Sequence, residues 1–99
     1  MRQFAYVVRP AFDSAFMATA GERVRTTVDE HWAFLQELHR SERLVFVGRC
    51  FDGPFGIVVI EVESESEARS VMSADPSVQA GVQTAELFPF KVGLMRGDA

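Results

Sequence analysis

Leu44 to Phe51 and Gly56 to Glu63 are two short runs dominated by Val, Ile, Leu and Phe, separated by the turn residues Asp52-Gly53-Pro54. Neither run alternates: Leu44, Val45, Phe46 and Val47, then Ile57, Val58, Val59 and Ile60, are apolar at every position. Successive side chains of a strand point to opposite faces of its sheet, so a strand that is apolar throughout needs a cover on both sides. The pair therefore reads as a hairpin in a sheet buried on two faces. The chain has 99 residues, enough for one core, and a single domain over 1–99 is expected. Such a chain has few elements left with which to build both covers.

The remaining elements follow from local chemistry. Gln3 to Arg9 reads as a strand rich in β-branched and aromatic residues and closed by Pro10, which has no amide proton for a ladder. Thr27 and Glu30 match a capping box, with Asp29 and Glu30 in the first turn, so a helix is predicted from Thr27 through Leu38. Val28, Trp32, Leu35 and Leu38 draw its apolar stripe, and His31 lies at the edge of that stripe. The preceding segment, Pro10 to Thr26, lacks clear periodicity. Phe12, Phe16 and Met17 suit a short helix that Gly21 would stop, and a connection of this length is either a lid over a site or a packed insertion.

Ser64 to Glu67 is a second capping box, opening a short helix through Ala68, Val71 and Met72 that Pro76 limits. Val82 to Val92 reads as the last strand, with Val82, Thr84, Glu86, Phe88 and Phe90 on one side and Pro89 marking an edge or bulge, before a frayed tail. The order β, α, β, β, α, β predicts an α+β, ferredoxin-like fold: a four-stranded antiparallel sheet with two helices on one face. The second face then needs another molecule. A second copy is the simplest choice, which makes a homodimer the expected assembly.

Hydrophobic residues make up 47% of the chain and charged residues 24%, the balance of an ordinary soluble globular protein. The net charge is −4 and the 10 Lys and Arg are scattered, so no basic footprint for nucleic acid is present. The opening MRQFAYVVRP is too short in its apolar run for a signal sequence or a membrane span, and the expected location is the cytoplasm. Cys50 reads as a thiol packed in a strand, and His31 and His39, eight residues apart with no cysteine cluster, match no metal-ligand spacing. Without a Gly-rich phosphate loop no nucleotide cofactor is expected, and none of another kind is suggested.

Several pieces fall in a familiar order: His31 in HWAFLQEL, Gly48 closing RLVFVG, Gly56 in GIVVIEVES, SEARSVMSADP ending in Asp75-Pro76, then Gly81 and the aromatic LFPF. Together they resemble the YciI-like (YCII-related) family of small dimeric α+β-barrel proteins. In that family the matching histidine and aspartate are regarded as a catalytic pair, so the resemblance implies that role for His31 and Asp75. Most members have no assigned reaction; a few act on products of aromatic ring degradation, among them a dehydrochlorinase of a chlorinated hydroxyhydroquinone. Muconolactone isomerases belong to the wider fold. The chain departs from the pattern at Glu42, where a glycine usually follows the first helix, and at Val28, where an arginine often stands one turn before the histidine.

A carboxylate beside an imidazole fixes its tautomer and steadies its charged form, leaving the other ring nitrogen to move a proton near neutral pH. Plainer roles exist for both residues. A histidine at a helix edge is often structural, and an Asp before Pro commonly caps the next segment. His39 is expected to be solvated at the helix C-terminus. Trp32, Phe34, Phe46 and Phe51 are expected to pack in the core rather than line a pocket. Two functions of different class follow: a small enzyme of lyase, isomerase or dehalogenating type acting on a cyclic or aromatic-derived metabolite, or a non-catalytic small-molecule-binding or protein-interaction module.

Overall fold

The computed structural model describes residues 1–11 and 14–98, with the side chains of 14–20 excepted. Its elements run β1 (Arg2–Pro10), α1 (Ser14–Arg40), β2 (Leu44–Arg49), β3 (Gly56–Val62), α2 (Glu65–Ala74), α3 (Pro76–Gln79) and β4 (Gln83–Pro89). The four strands form one antiparallel sheet in the order β2-β3-β1-β4, the ferredoxin-like arrangement. Phe4, Tyr6 and Val8 of β1 and Val58, Ile60 and Val62 of β3 share the inner face, where Leu35 and Leu38 of α1 and Ala68 and Val71 of α2 complete the core. Both long helices therefore cover one side of the sheet. Among the described residues no helix is long and apolar enough to cross a membrane.

The missing alternation in β2 has a local cause. Leu44 pairs with Ile60 but Phe46 pairs with Val59, so Val45 is an extra residue and the strand bulges. The bulge turns both Leu44 and Val47 toward the helices, while Phe46 goes to the other face. On that open face Phe46, Val59, Ala5 and Phe88 stand in one row across all four strands, with Ile57 and Val7 in the next. Along β4, Ala85 and Leu87 pack toward the core and Thr84, Glu86 and Phe88 point away, as the strand's predicted sidedness requires.

The first helix departs most from expectation. It does not start at Thr27 but at Ser14, and runs 27 residues straight through Gly21. Thr27 is not a cap: its hydroxyl donates to Arg23 O at 2.9 Å, and that of Thr26 to Glu22 O at 3.1 Å. Such back-bonding lets threonine sit inside a helix with its hydroxyl satisfied. One glycine costs about 1 kcal/mol against alanine, too little to stop a helix flanked by Ala15, Ala18 and Ala20. A lid loop over Pro10 to Thr26 is thus replaced from Ser14 onward by helix; Phe12 and the side chains of Phe16 and Met17 lie outside the described residues. The buried stripe shifts as well, to Val24, Thr27, Leu35 and Leu38, leaving Val28 and Trp32 on the flank.

At the helix end Glu42 takes the left-handed conformation, φ 63°, with Glu42 N–H donating to His39 O and Arg43 N–H to Leu38 O. This is a Schellman stop with glutamate where glycine fits best. His39 is exposed there, as expected. The second helix starts as predicted: Ser64 Oγ accepts from Glu67 N–H, and the Glu67 carboxylate reaches back to Glu63 N–H. Cys50 lies just past β2 at the base of the turn and is half-buried, not within a strand.

Candidate active site

The break between α2 and α3 is made by Asp75-Pro76. Proline pushes the residue before it out of the helical region, and Asp75 is extended, with φ −62° and ψ 122°. Its side chain then caps α3, Oδ1 accepting from Ser77 N–H at 3.0 Å. The capping role expected of an Asp before Pro is present. It does not use up the carboxylate.

His31, in the middle of α1, brings Nδ1 to 2.7 Å from Asp75 Oδ1 and 2.8 Å from Oδ2. The Tyr6 hydroxyl donates to Oδ2 at 2.8 Å from the inner face of β1. Ser77 Oγ lies 2.8 Å from Asp75 Oδ1 and 2.7 Å from Gln83 Oε1. A hydroxyl carries one proton, so it serves one of these acceptors at a time; with the Gln83 amide turned over, its NH2 would donate to Ser77 and free the proton for Asp75. Three elements thus converge on one carboxylate, α1, β1 and the first turn of α3, with the start of β4 behind Ser77.

The Asp75 side chain is 0% exposed and that of His31 16%. Burial alone would raise the Asp75 pKa; hydrogen bonding and charge from His31, then hydrogen bonds from Tyr6 and Ser77, outweigh it and hold the carboxyl below the ordinary range. The Tyr6 phenol moves the other way, pushed up by burial and then by the neighbouring Asp75 charge and hydrogen bond, so it remains a donor. An ionised carboxylate accepts only, which puts a proton on His31 Nδ1; in the neutral ring Nε2 is then the acceptor.

His31 also lines a cleft of about 670 Å3 between α1 and the hairpin end of the sheet. Trp32, Val28 and Phe55 form apolar walls, and Gly48, Arg49 and Gly56 line the strand side. Trp32 is 55% exposed, so of the aromatic residues expected in the core it belongs to the cleft instead. Phe51, 98% exposed at the turn, is in neither, whereas Phe34 does pack against the core.

Tyr6, Ser77 and Gln83 were not legible as site residues in the sequence. Tyr6 carried one signal: it is the only tyrosine, flanked by Phe4 and Val8 on the inward side of a strand, and a buried phenol needs a partner.

A model of the YCII-related domain matches residues 4–91. Among solved structures the chain is similar to the 5-chloro-2-hydroxyhydroquinone dehydrochlorinase of Burkholderia phenoliruptrix AC1100 in complex with 2,5-dihydroxybenzoquinone. The TM-score is 0.60 at 18% identity, over 91% of this chain and 95% of that one, a likeness of fold. Among curated proteins there is no significant match.

Proposed function

The chain belongs to the YCII-related domain family, and on that premise we propose that it is a small cofactor-free enzyme of lyase, isomerase or dehalogenating type. Its substrate is a small cyclic or aromatic-derived molecule. His31 Nε2 takes a proton from the substrate, and the imidazolium so formed is stabilised by the Asp75 carboxylate on the other ring nitrogen. The electron pair released by the substrate either shifts within the ring, when His31 returns the proton at another carbon, or expels a leaving group such as halide, when the proton passes to solvent. Asp75 orients and steadies the imidazole; held ionised by His31 first and then by Tyr6 and Ser77, it is a poor acceptor for the proton itself.

One observation carries this reading: a histidine with one nitrogen bound to a fully buried carboxylate while its ring borders an apolar cleft. A histidine that served packing alone would have no need of a cavity beside it. The fold neighbour's action on a chlorinated hydroxyhydroquinone and its bound 2,5-dihydroxybenzoquinone suggest the first compounds to try. The assembly we propose is a homodimer formed through the open sheet face.

The test is turnover. Halide release or ring isomerisation is assayed over chlorinated hydroxyhydroquinones and related cyclic acids and lactones, and His31→Ala is expected to lose about 10²–10⁴-fold of any rate found. Activity that survives this change in a folded protein means that another group moves the proton. Ligand binding without turnover across the panel would favour a binding module.

A further inference from the structure

The chain is acidic, with 14 Asp and Glu against 10 Lys and Arg, yet the cleft is not. Among the described residues lining it there is no carboxylate, and Arg49 is the one permanent charge. The guanidinium makes no ion pair or side-chain hydrogen bond with any described residue. Among the described residues Arg9, Arg25, Arg40 and Arg69 each have a carboxylate partner, whereas Arg2, Arg43 and Arg96, like Arg49, have none.

Strand register sets where Arg49 lies. Val47, Val58 and Tyr6 form one row on the helix-covered face, and Arg49, Gly56 and Val8 form the next row on that same face. Between Arg49 and Val8, Gly56 contributes no side chain; a Cβ there would stand 3.3 Å from Val8 Cγ2 and 3.5 Å from Arg49 Cβ. At Gly56 the backbone itself forms the floor, with Gly48 O, Val8 and Arg49 close enough to crowd a Cβ, and Trp32 and Phe55 line the cleft elsewhere.

We propose that the cleft selects planar ligands bearing an anionic oxygen, carboxylate or phenolate, and that Arg49 binds this oxygen and turns the ring toward His31. The planar fork of a guanidinium matches two oxygens of a carboxylate, and Arg49 is exposed, so a ligand entering from solvent can reach it. A cationic ligand finds no counter-charge among the described lining residues. The proposal deepens the enzymatic reading and rests on it for the chemistry, though not for the binding preference.

Benzoate and benzamide, alike in size and shape but differing by one charge, provide the probe in calorimetric titration of the full chain. Benzoate is expected to bind about tenfold more tightly, the scale of one charge-assisted pair, and added salt should weaken it alone. Arg49→Gln should level the two affinities, and Arg49→Lys, a point charge without the fork, should keep part of the difference. Equal affinities in the wild type, no benzoate binding at millimolar concentration, or a preference that survives Arg49→Gln overturns the proposal. His31→Ala separates the two claims. Turnover that persists in that variant while the benzoate preference is kept removes His31 from the chemistry and leaves Arg49 as the selector.

Discussion

A carboxylate with no exposure would ordinarily be driven neutral, and Asp75 stays charged because His31 Nδ1, Tyr6 Oη, Ser77 N and Ser77 Oγ all lie within hydrogen-bond distance of it. Tyr6→Phe removes one donor and leaves Oδ2 to His31 alone. A loss of about 1–3 kcal/mol in urea unfolding at neutral pH is expected; no loss would mean that the phenol is not needed there. Acid gives a second reading. The folded carboxyl lies below its ordinary value of 3.8, so its stabilisation is fully present above that pH and is lost as pH falls through the folded value. Asp75→Asn should therefore be less stable than wild type at neutral pH, with the gap closing below about pH 4. A gap independent of pH would show that Asp75 is not held ionised. His31 and Asp75 could be picked out in the sequence because a motif marked them, and Asp75 stands before Pro. Tyr6 could not, since its partner is 69 residues away and only the packing of β1 under the α2–α3 joint brings them together.

The elements most legible in the sequence are those marked by a run of β-branched and aromatic residues or by an unambiguous cap. β1, β3 and the Ser64 cap fall within a residue of expectation because burial and capping are decided by near neighbours. α1 was misplaced because Thr27-x-x-Glu30 has the letters of a capping box, and only the hydroxyl's actual acceptor, Arg23 O, shows that the helix is already formed there. Its far end offers a test. Glu42 at φ 63° bears the left-handed cost that glycine lacks, roughly 1–2 kcal/mol. Glycine in turn loses about 0.5–1 kcal/mol through unfolded-chain entropy, so Glu42→Gly should raise stability by about 0.5–1 kcal/mol. The urea midpoint should move up at unchanged slope. A lower midpoint would mean that the Glu42 side chain contributes more than its backbone costs.

On the scale of the whole molecule, the two longer helices pack on one face of the sheet, while on the other Ala5 and Val59 are already buried within the chain and Phe46 and Phe88 stay partly exposed. Phe46, Val59, Ala5 and Phe88 make an apolar row across that face. The need for two covers was legible in the unbroken apolar runs; part of that signal, however, came from the Val45 bulge, which sends both Leu44 and Val47 inward. Val59 is fully buried within the single chain, so a charge there would unfold it and say nothing about assembly. Phe88, 44% exposed, is the better place. If a second copy covers this face, wild type should sediment as a dimer at micromolar concentration, with a melting temperature that rises with concentration. Phe88→Asp would bury an unpaired charge at the interface at a cost of several kcal/mol, and should sediment as a folded monomer. Circular dichroism of the variant distinguishes dissociation from unfolding. A wild-type monomer would sink the dimer outright, and a Phe88→Asp protein that remains dimeric would move the contact away from this face of the sheet.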